Sequence, residues 1–193
     1  MILATGLRRG EALGLRWTDV HFMERKVYVR WTLSAVNNNE LHLGPPKTKA
    51  SLNWVSLNAR AMDALRRQAD HQQSLLPLGA PSEGLVFAGV DGSPLRPQHV
   101  LNELRRRTAE IGLPRIGVHD LRHTAATLMI TSDVPMAVIS KTLRHSTLAT
   151  TINSYGHLLK YAADEAVHAL ADALAQAEAD LDSSRPHHLG RAA

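Results

Sequence analysis

Apolar and polar residues alternate only between residues 26 and 57, and on both sides of that block the apolar residues recur at helical spacing. A chain patterned this way folds as helices around one small sheet. Residues 26–33 (KVYVRWTL) read as a first strand, Asn37-Asn38-Asn39 as a turn, residues 40–43 as a second strand and residues 53–57 as a third. The link Gly44-Pro45-Pro46-Lys47-Thr48-Lys49 cannot be regular sheet because proline removes ladder donors. The expected fold class is therefore mainly α with a small three-stranded antiparallel sheet (α+β).

Before the sheet, Leu3, Leu7, Ala12 and Leu15 place residues 1–17 at the end of a helix whose opening turn is missing. After it, helices are expected over 58–74 and from Pro97 to about Ile111, where Gly112-Leu113-Pro114 stops the second. Residues 119–131 should bury Leu121, Ala125 and Leu128, and Asp133 and Pro135 should open a helix ending near Leu143. A short helix over 147–155 and a long one over 161–181 complete the reading. Residues 76–94 read as a loop-rich connection around a short apolar segment, 85–87. The domain plan is one unit over 1–160, a C-terminal helix over 161–182 and a frayed polar tail over 183–193.

Composition narrows the function. Cysteine is absent, which excludes disulfides, thiolate zinc sites and cysteine nucleophiles. No stretch approaches the roughly 20 apolar residues of a membrane span. Met1–Ala4 has no basic region before it, so it does not read as a signal peptide, and a cytoplasmic address is expected. The net charge of +4 is unevenly placed: residues 1–160 carry +8 and residues 161–193 carry −4. A basic body suits a polyanion such as nucleic acid, and a nucleoid-associated address with it. Arginine outnumbers lysine 17 to 5, which favours forked recognition of phosphate.

Five places hold chemistry: Arg8 in Thr5-Gly6-Leu7-Arg8-Arg9-Gly10-Glu11, Lys47 in the strand link, His119 and Arg122 in His119-Asp120-Leu121-Arg122-His123, His145 in Leu143-Arg144-His145-Ser146, and Tyr155 in Ser154-Tyr155-Gly156-His157. Each has an ordinary explanation when taken singly. Arg8 can pair with Glu11 on a helix surface. Lys47 can be a solvated loop residue, His119 can cap a helix, His145 can follow one, and Tyr155 can share a core face with Leu148 and Ile152. Together they comprise two guanidiniums, one ammonium, two imidazoles and one phenol, with no carboxylate pair or metal cluster. That set suits phosphoryl transfer without a metal: cations for the equatorial oxygens, a nucleophile, and a proton donor for the leaving oxygen. A phenol is only about 0.1% ionised at pH 7, so nearby cations must assist it.

In the order and spacing of these boxes, from about Leu3 to Tyr161, the chain resembles the catalytic domain of the tyrosine recombinases, the phage-integrase class of site-specific DNA recombinases. The resemblance implies that Tyr155 attacks the scissile phosphate of double-stranded DNA, leaving a 3′-phosphotyrosyl link and a free 5′-hydroxyl. Arg8 and Arg122 would clamp the nonbridging oxygens, Lys47 would protonate the departing 5′-oxygen, and His119 and His145 would hydrogen-bond the phosphate and assist proton movement. Glu11 and Asp120 would orient their neighbours. Neither metal nor ATP is implied.

Two departures stand out. The family usually has glycine where this chain has Arg144, in a left-handed helix end. Arginine there costs about 1 kcal/mol if the geometry is kept, and it would otherwise shift His145 or add a phosphate contact. The family also places a core-binding domain before this region, so the chain by itself is expected to bind DNA weakly and with strong salt dependence. In the tail, Ala163, Val167, Leu170, Leu174, Ala177 and Leu181 follow an a/d spacing. That stripe packs on its own domain or, as the family implies, on a neighbouring protomer of a homo-tetramer. Two other readings compete. One is a DNA-binding remnant of an integrase without catalytic activity. The other is a zinc metalloprotease built on His119-x-x-x-His123, in which Asp120 stands where glutamate should be and Arg122 would sit beside the metal.

Overall fold

The structure is a computed structural model that describes residues 1–37, 40–75, 84–159 and 162–183. Asn38 and Asn39 of the expected turn, and the tail beyond Ser183, lie outside the described residues. The chain divides into two compact units, Met1–Asn153 and Ser154–Ala193. Among the described residues no helix is long and apolar enough to cross a membrane.

The opening segment is two short helices, not the end of one. Helix α1 (Ile2–Thr5) stops at Gly6, whose φ of 66° is left-handed and whose N–H donates to the Ile2 carbonyl. Arg8 is extended, and α2 (Arg9–Leu13) starts after it. The reversal turns Leu7, Ala12 and Leu15 into the core and leaves Leu3 outside.

The alternating block also divides. Strands β1 (Val20–His21), β2 (Lys26–Tyr28) and β5 (Trp54–Ser56) form a three-stranded antiparallel sheet in the order β1-β2-β5, with Val27 opposite Val55. Strands β3 (Thr32–Val36) and β4 (Glu40–Gly44) form a separate hairpin. The expected strand over 26–33 therefore breaks in two. Pairing with the β5 segment persists to Val29, whose N–H donates to Asn53, and Arg30 then turns aside to Asp19 with Nε 3.0 Å from Oδ1. The chain re-enters as β3 because α2 lies directly on its backbone: a Cβ on Gly10 would stand 2.7 Å from the Leu33 carbonyl oxygen. As the prolines require, the link after β4 is irregular, and it closes in a 3-10 turn over Lys49–Ser51.

Helices α3 (Ala59–Leu75), α4 (Pro97–Glu110), α5 (Val118–Ile130), α6 (Met136–Thr142) and α7 (Leu148–Tyr155) fall close to their expected places. Asn58 caps α3 by accepting the Ala61 N–H at 2.9 Å, and Pro97 begins α4, where its missing donor costs nothing. The core gathers Val27, Val29, Val55 and Leu57 from the strands with Leu7, Ala12, Leu15, Ala61, Met62, Leu65 and Val86. Full burial of a residue such as Leu65 contributes about 1.5–3 kcal/mol.

Helix α5 differs from its expected orientation. Its buried face is Val118, Arg122, Ala126 and Ile130, with Ala125 beside it, whereas Leu128 is 55% exposed. Leu128 instead borders an open groove with Leu3, Trp54, Ala125 and Met129. The turn of the helix follows from Arg122, which takes an interior position that hydrophobicity alone would assign to a leucine.

In the second unit, α8 (Ala162–Ser183) presents Val167, Leu170 and Leu174 with 66%, 60% and 57% exposure, so the described part of the a/d stripe is open. The side chains of Ala163, Ala177 and Leu181 lie outside the description.

The contact of α2 with β3 is testable. Gly10→Val should lower stability by about 1–3 kcal/mol, because the added atoms meet backbone that cannot move aside. Urea unfolding of the variant measures this, and an unchanged midpoint would contradict the packing of α2 on the strand.

Candidate phosphate-binding site

Four of the expected residues converge in the first unit. Arg8 is set by its neighbours before any ligand arrives. As the N-cap residue of α2 it donates its backbone N–H to Glu11 Oε2 at 2.9 Å, and its Nη1 donates to Glu11 Oε1 and to Ser51 Oγ, each at 2.8 Å. Its Nη2 lies 3.5 Å from the Arg144 carbonyl oxygen. With 37% of its side chain still open, Arg8 is anchored at one edge and accessible at the other.

Arg122 reaches the same place from below. Its side chain is 2% exposed, its Nη2 donates to the Leu143 carbonyl at 2.6 Å, and its Nη1 donates to the Gly6 carbonyl. Both acceptors are helix-end carbonyls, one at the end of α1 and one just past α6, so the guanidinium satisfies groups that helices leave unpaired. Arg122 points inward from α5, while His119, on the first turn of the same helix, is exposed.

His119 stacks edge-to-face on His123 with ring centroids 4.6 Å apart. Partial burial lowers its pKa, and the charges of His123, Arg122 and Arg8 add to that, against a smaller opposing pull from Asp120. Asp120 accepts the Gly117 N–H at 2.7 Å, so it holds the first turn of α5, which carries His119. Among the described residues no three His, Asp or Glu side chains gather as a metal would require, so His119 and His123 have no third ligand there.

His145 follows α6 and its Nδ1 lies 2.7 Å from Thr151 Oγ1. Desolvation, then the positive charges of Arg122, Arg8 and Arg144, push its pKa down to about 4. The ring is neutral at physiological pH. If the Thr151 hydroxyl donates to Nδ1, the proton is on Nε2, where it is a hydrogen-bond donor.

Arg144 keeps the left-handed backbone that favours glycine, with φ of 55°. Its guanidinium turns inward, 3% exposed, with Nη2 2.5 Å from Glu11 Oε2 and Nη1 3.1 Å from the Thr142 carbonyl. It is therefore not the phosphate contact that an outward arginine would have supplied. Burial tends to raise the Glu11 pKa, but Arg144 and the Arg8 hydrogen bonds outweigh it and hold the carboxyl below its ordinary value.

Lys47 is exposed on the link after β4. The link is tied to the cluster one residue on, where Thr48 Oγ1 lies 3.0 Å from Ser51 Oγ, the acceptor of Arg8. Tyr155 is the last residue of α7 and is 5% exposed; it falls in the second unit, so the cluster is described without it.

Four supporting groups escaped sequence reasoning. Ser51 had no signal at all, because nothing marks a lone serine as the partner of an arginine 43 positions earlier. Thr151 lies one helical turn into α7 and was legible only as a helix residue. The Gly6 and Leu143 carbonyls carry no side-chain signature.

Comparison with known proteins places the chain in a family. The phage integrase family matches residues 1–161. A XerC-like tyrosine recombinase of Caldanaerobacter subterraneus subsp. tengcongensis is 28% identical, covering 89% of this chain and 48% of its own length. The ICEBs1 integrase of Bacillus subtilis is 29% identical over 88% of this chain and 46% of its own length. Among solved structures, the Tn1549 transposon integrase in complex with circular intermediate DNA superposes with a TM-score of 0.70 at 21% identity, covering 88% of this chain and 57% of that one. The XerA recombinase gives 0.57 at 22% identity, over 78% of this chain and 49% of that one. At these identities the structural likeness establishes the fold, mostly helical with a small antiparallel sheet. The chain spans about half the length of the curated relatives it matches. With the family matched over most of the sequence and the basic cluster formed where its boxes meet, the chain belongs to the phage integrase family.

Proposed function

We propose that this chain is the strand-cleaving domain of a site-specific DNA recombinase. The observation that carries the proposal is the convergence of Arg8 with His119 and His145, more than a hundred residues further along the chain, around the buried Arg122, with Lys47 on the link beside them.

In the proposed reaction the Tyr155 oxygen attacks the phosphorus, the bond to the 5′-oxygen breaks, and a 3′-phosphotyrosyl link forms. Arg8 and Arg122 balance charge that gathers on the nonbridging oxygens. Neutral His119 and His145 hydrogen-bond the phosphate and assist the movement of the tyrosine proton, and Lys47 protonates the departing 5′-oxygen to give the free 5′-hydroxyl. The phosphotyrosyl bond conserves the energy of the phosphodiester, so a second 5′-hydroxyl reverses the step without ATP or metal. Tyr155 is 5% exposed without DNA, so its ring must become more accessible on the complex. The open apolar stripe of α8 supports docking between protomers of a homo-tetramer on DNA, with the basic first unit facing the phosphates.

The decisive experiment uses a duplex with a nick near the crossover. A covalent protein–DNA adduct should form and be absent in Tyr155→Phe. Arg8→Ala or Arg122→Ala should slow adduct formation about 10²–10³-fold, as for loss of an oxyanion donor. Folded protein that binds DNA but yields no adduct would favour a DNA-binding remnant.

The imidazoles set the pH dependence. Because the His145 pKa lies near 4 and that of His119 is also lowered, cleavage should show no break near pH 6.5. As pH falls below about 6.5 the unfolded chain binds protons that the native rings refuse, so stability should decline toward pH 4. Melting temperatures across that range should fall, and less steeply in His145→Asn.

Deleting residues 162–193 should impair assembly on paired DNA sites, seen in gel shifts, more than adduct formation on a single site. Equal loss of both would mark α8 as a folding element.

A further inference from the structure

Arg144 bears two local costs at one position. Its backbone is left-handed at φ 55°, which any residue with a Cβ resists, and its Nε is buried with no hydrogen-bond partner among the described residues. A glycine would incur neither. What the arginine gains is Glu11. The carboxylate, 2% exposed, is shared: Oε1 accepts from the Arg8 guanidinium, while Oε2 accepts from the Arg8 backbone N–H and from Arg144 Nη2. Oε2 is thus held from the interior side as well as by the Arg8 backbone N–H, and Oε1 alone meets the Arg8 guanidinium. Arg8 is left with one Glu11 oxygen and Ser51 on one edge, and its Nη2 lies toward the Arg144 carbonyl.

The charge balance changes too. Glu11 with Arg8 and Arg122 would carry one net positive charge; with Arg144 added, the group carries two. The added charge is buried, so water screens it little.

We propose that Arg144 is a positioning residue for Arg8: from inside the fold it occupies one oxygen of Glu11, and so fixes the direction of the Arg8 guanidinium and keeps its charge from being cancelled. Resting on the strand-cleaving function proposed for the site, the consequence is that Arg144 acts on the cleavage step without touching DNA.

The test compares the whole chain with Arg144→Gly and Arg144→Lys. Glycine suits the left-handed backbone, and lysine retains the charge. In single-turnover cleavage of the nicked duplex, Arg144→Gly should lose about 10–100-fold, the scale of a misplaced reactive group, with DNA affinity nearly unchanged. Arg144→Lys should recover part of the loss, and Glu11→Gln combined with Arg144→Gly should cost less than the product of the single effects. Nitrogen-15 relaxation of the arginine Nε groups gives a second readout, independent of cleavage. Arg8 should be rigid in the native chain and mobile, with an order parameter below about 0.6, in Arg144→Gly. Native-like cleavage in Arg144→Gly, or an equally rigid Arg8, would overturn the inference, as would a mobile Arg144 in the native chain. If the native chain forms no adduct, the recombinase function fails and the Arg8 relaxation alone decides the role of Arg144.

Discussion

A buried guanidinium organises the first unit. Arg122 sits in the interior of α5 with no carboxylate among its described hydrogen-bond partners, and it is satisfied by the carbonyls of Gly6 and Leu143. Burying a cation is costly unless its donors are all used, so this arrangement holds only while α1, α5 and the end of α6 are in register. It explains why α1 must end at Gly6, why α5 presents Arg122 and not Leu128 to the interior, and why His145 emerges where it does, two residues past an acceptor of Arg122.

Glu11 plays the complementary part. A single buried carboxylate lies between Arg8 and Arg144, so the positive groups of the site are partly and not wholly compensated. The result is a surface with excess positive charge held by a preorganised interior, which in the proposed function lowers the reorganisation needed to bind a phosphate. Desolvation first, and the neighbouring cations after it, disfavour a second proton on His145 and His119 and leave both available as hydrogen-bond partners.

Much of this was readable from the residues. The helical spacing, the proline-broken link and the capping residues located α3 to α7 close to their ends, because those signals are local. The five chemical boxes were legible because each is a short run with distinctive side chains. What failed depended on contacts between segments. The strand over 26–33 reads as continuous, yet Gly10 of α2 presses on its second half and redirects it. Leu121, Ala125 and Leu128 read as the buried stripe of α5, yet only Ala125 of them is buried, and Arg122 takes an interior place while Leu128 is exposed. For Arg144 the sequence leaves a shift of His145 and a phosphate contact both open, since nothing nearby announces Glu11 as a partner 133 positions away.

By itself the sequence determined the class of fold, the boundaries of most helices, the basic character of the body and the inventory of reactive groups, because period, capping and side-chain chemistry act over a few residues. Only the tertiary structure decided which of those groups face a ligand and which are spent inside. Whether a guanidinium points out or in depends on acceptors supplied by remote segments, and the balance between solvation and buried pairing is settled only when those segments meet.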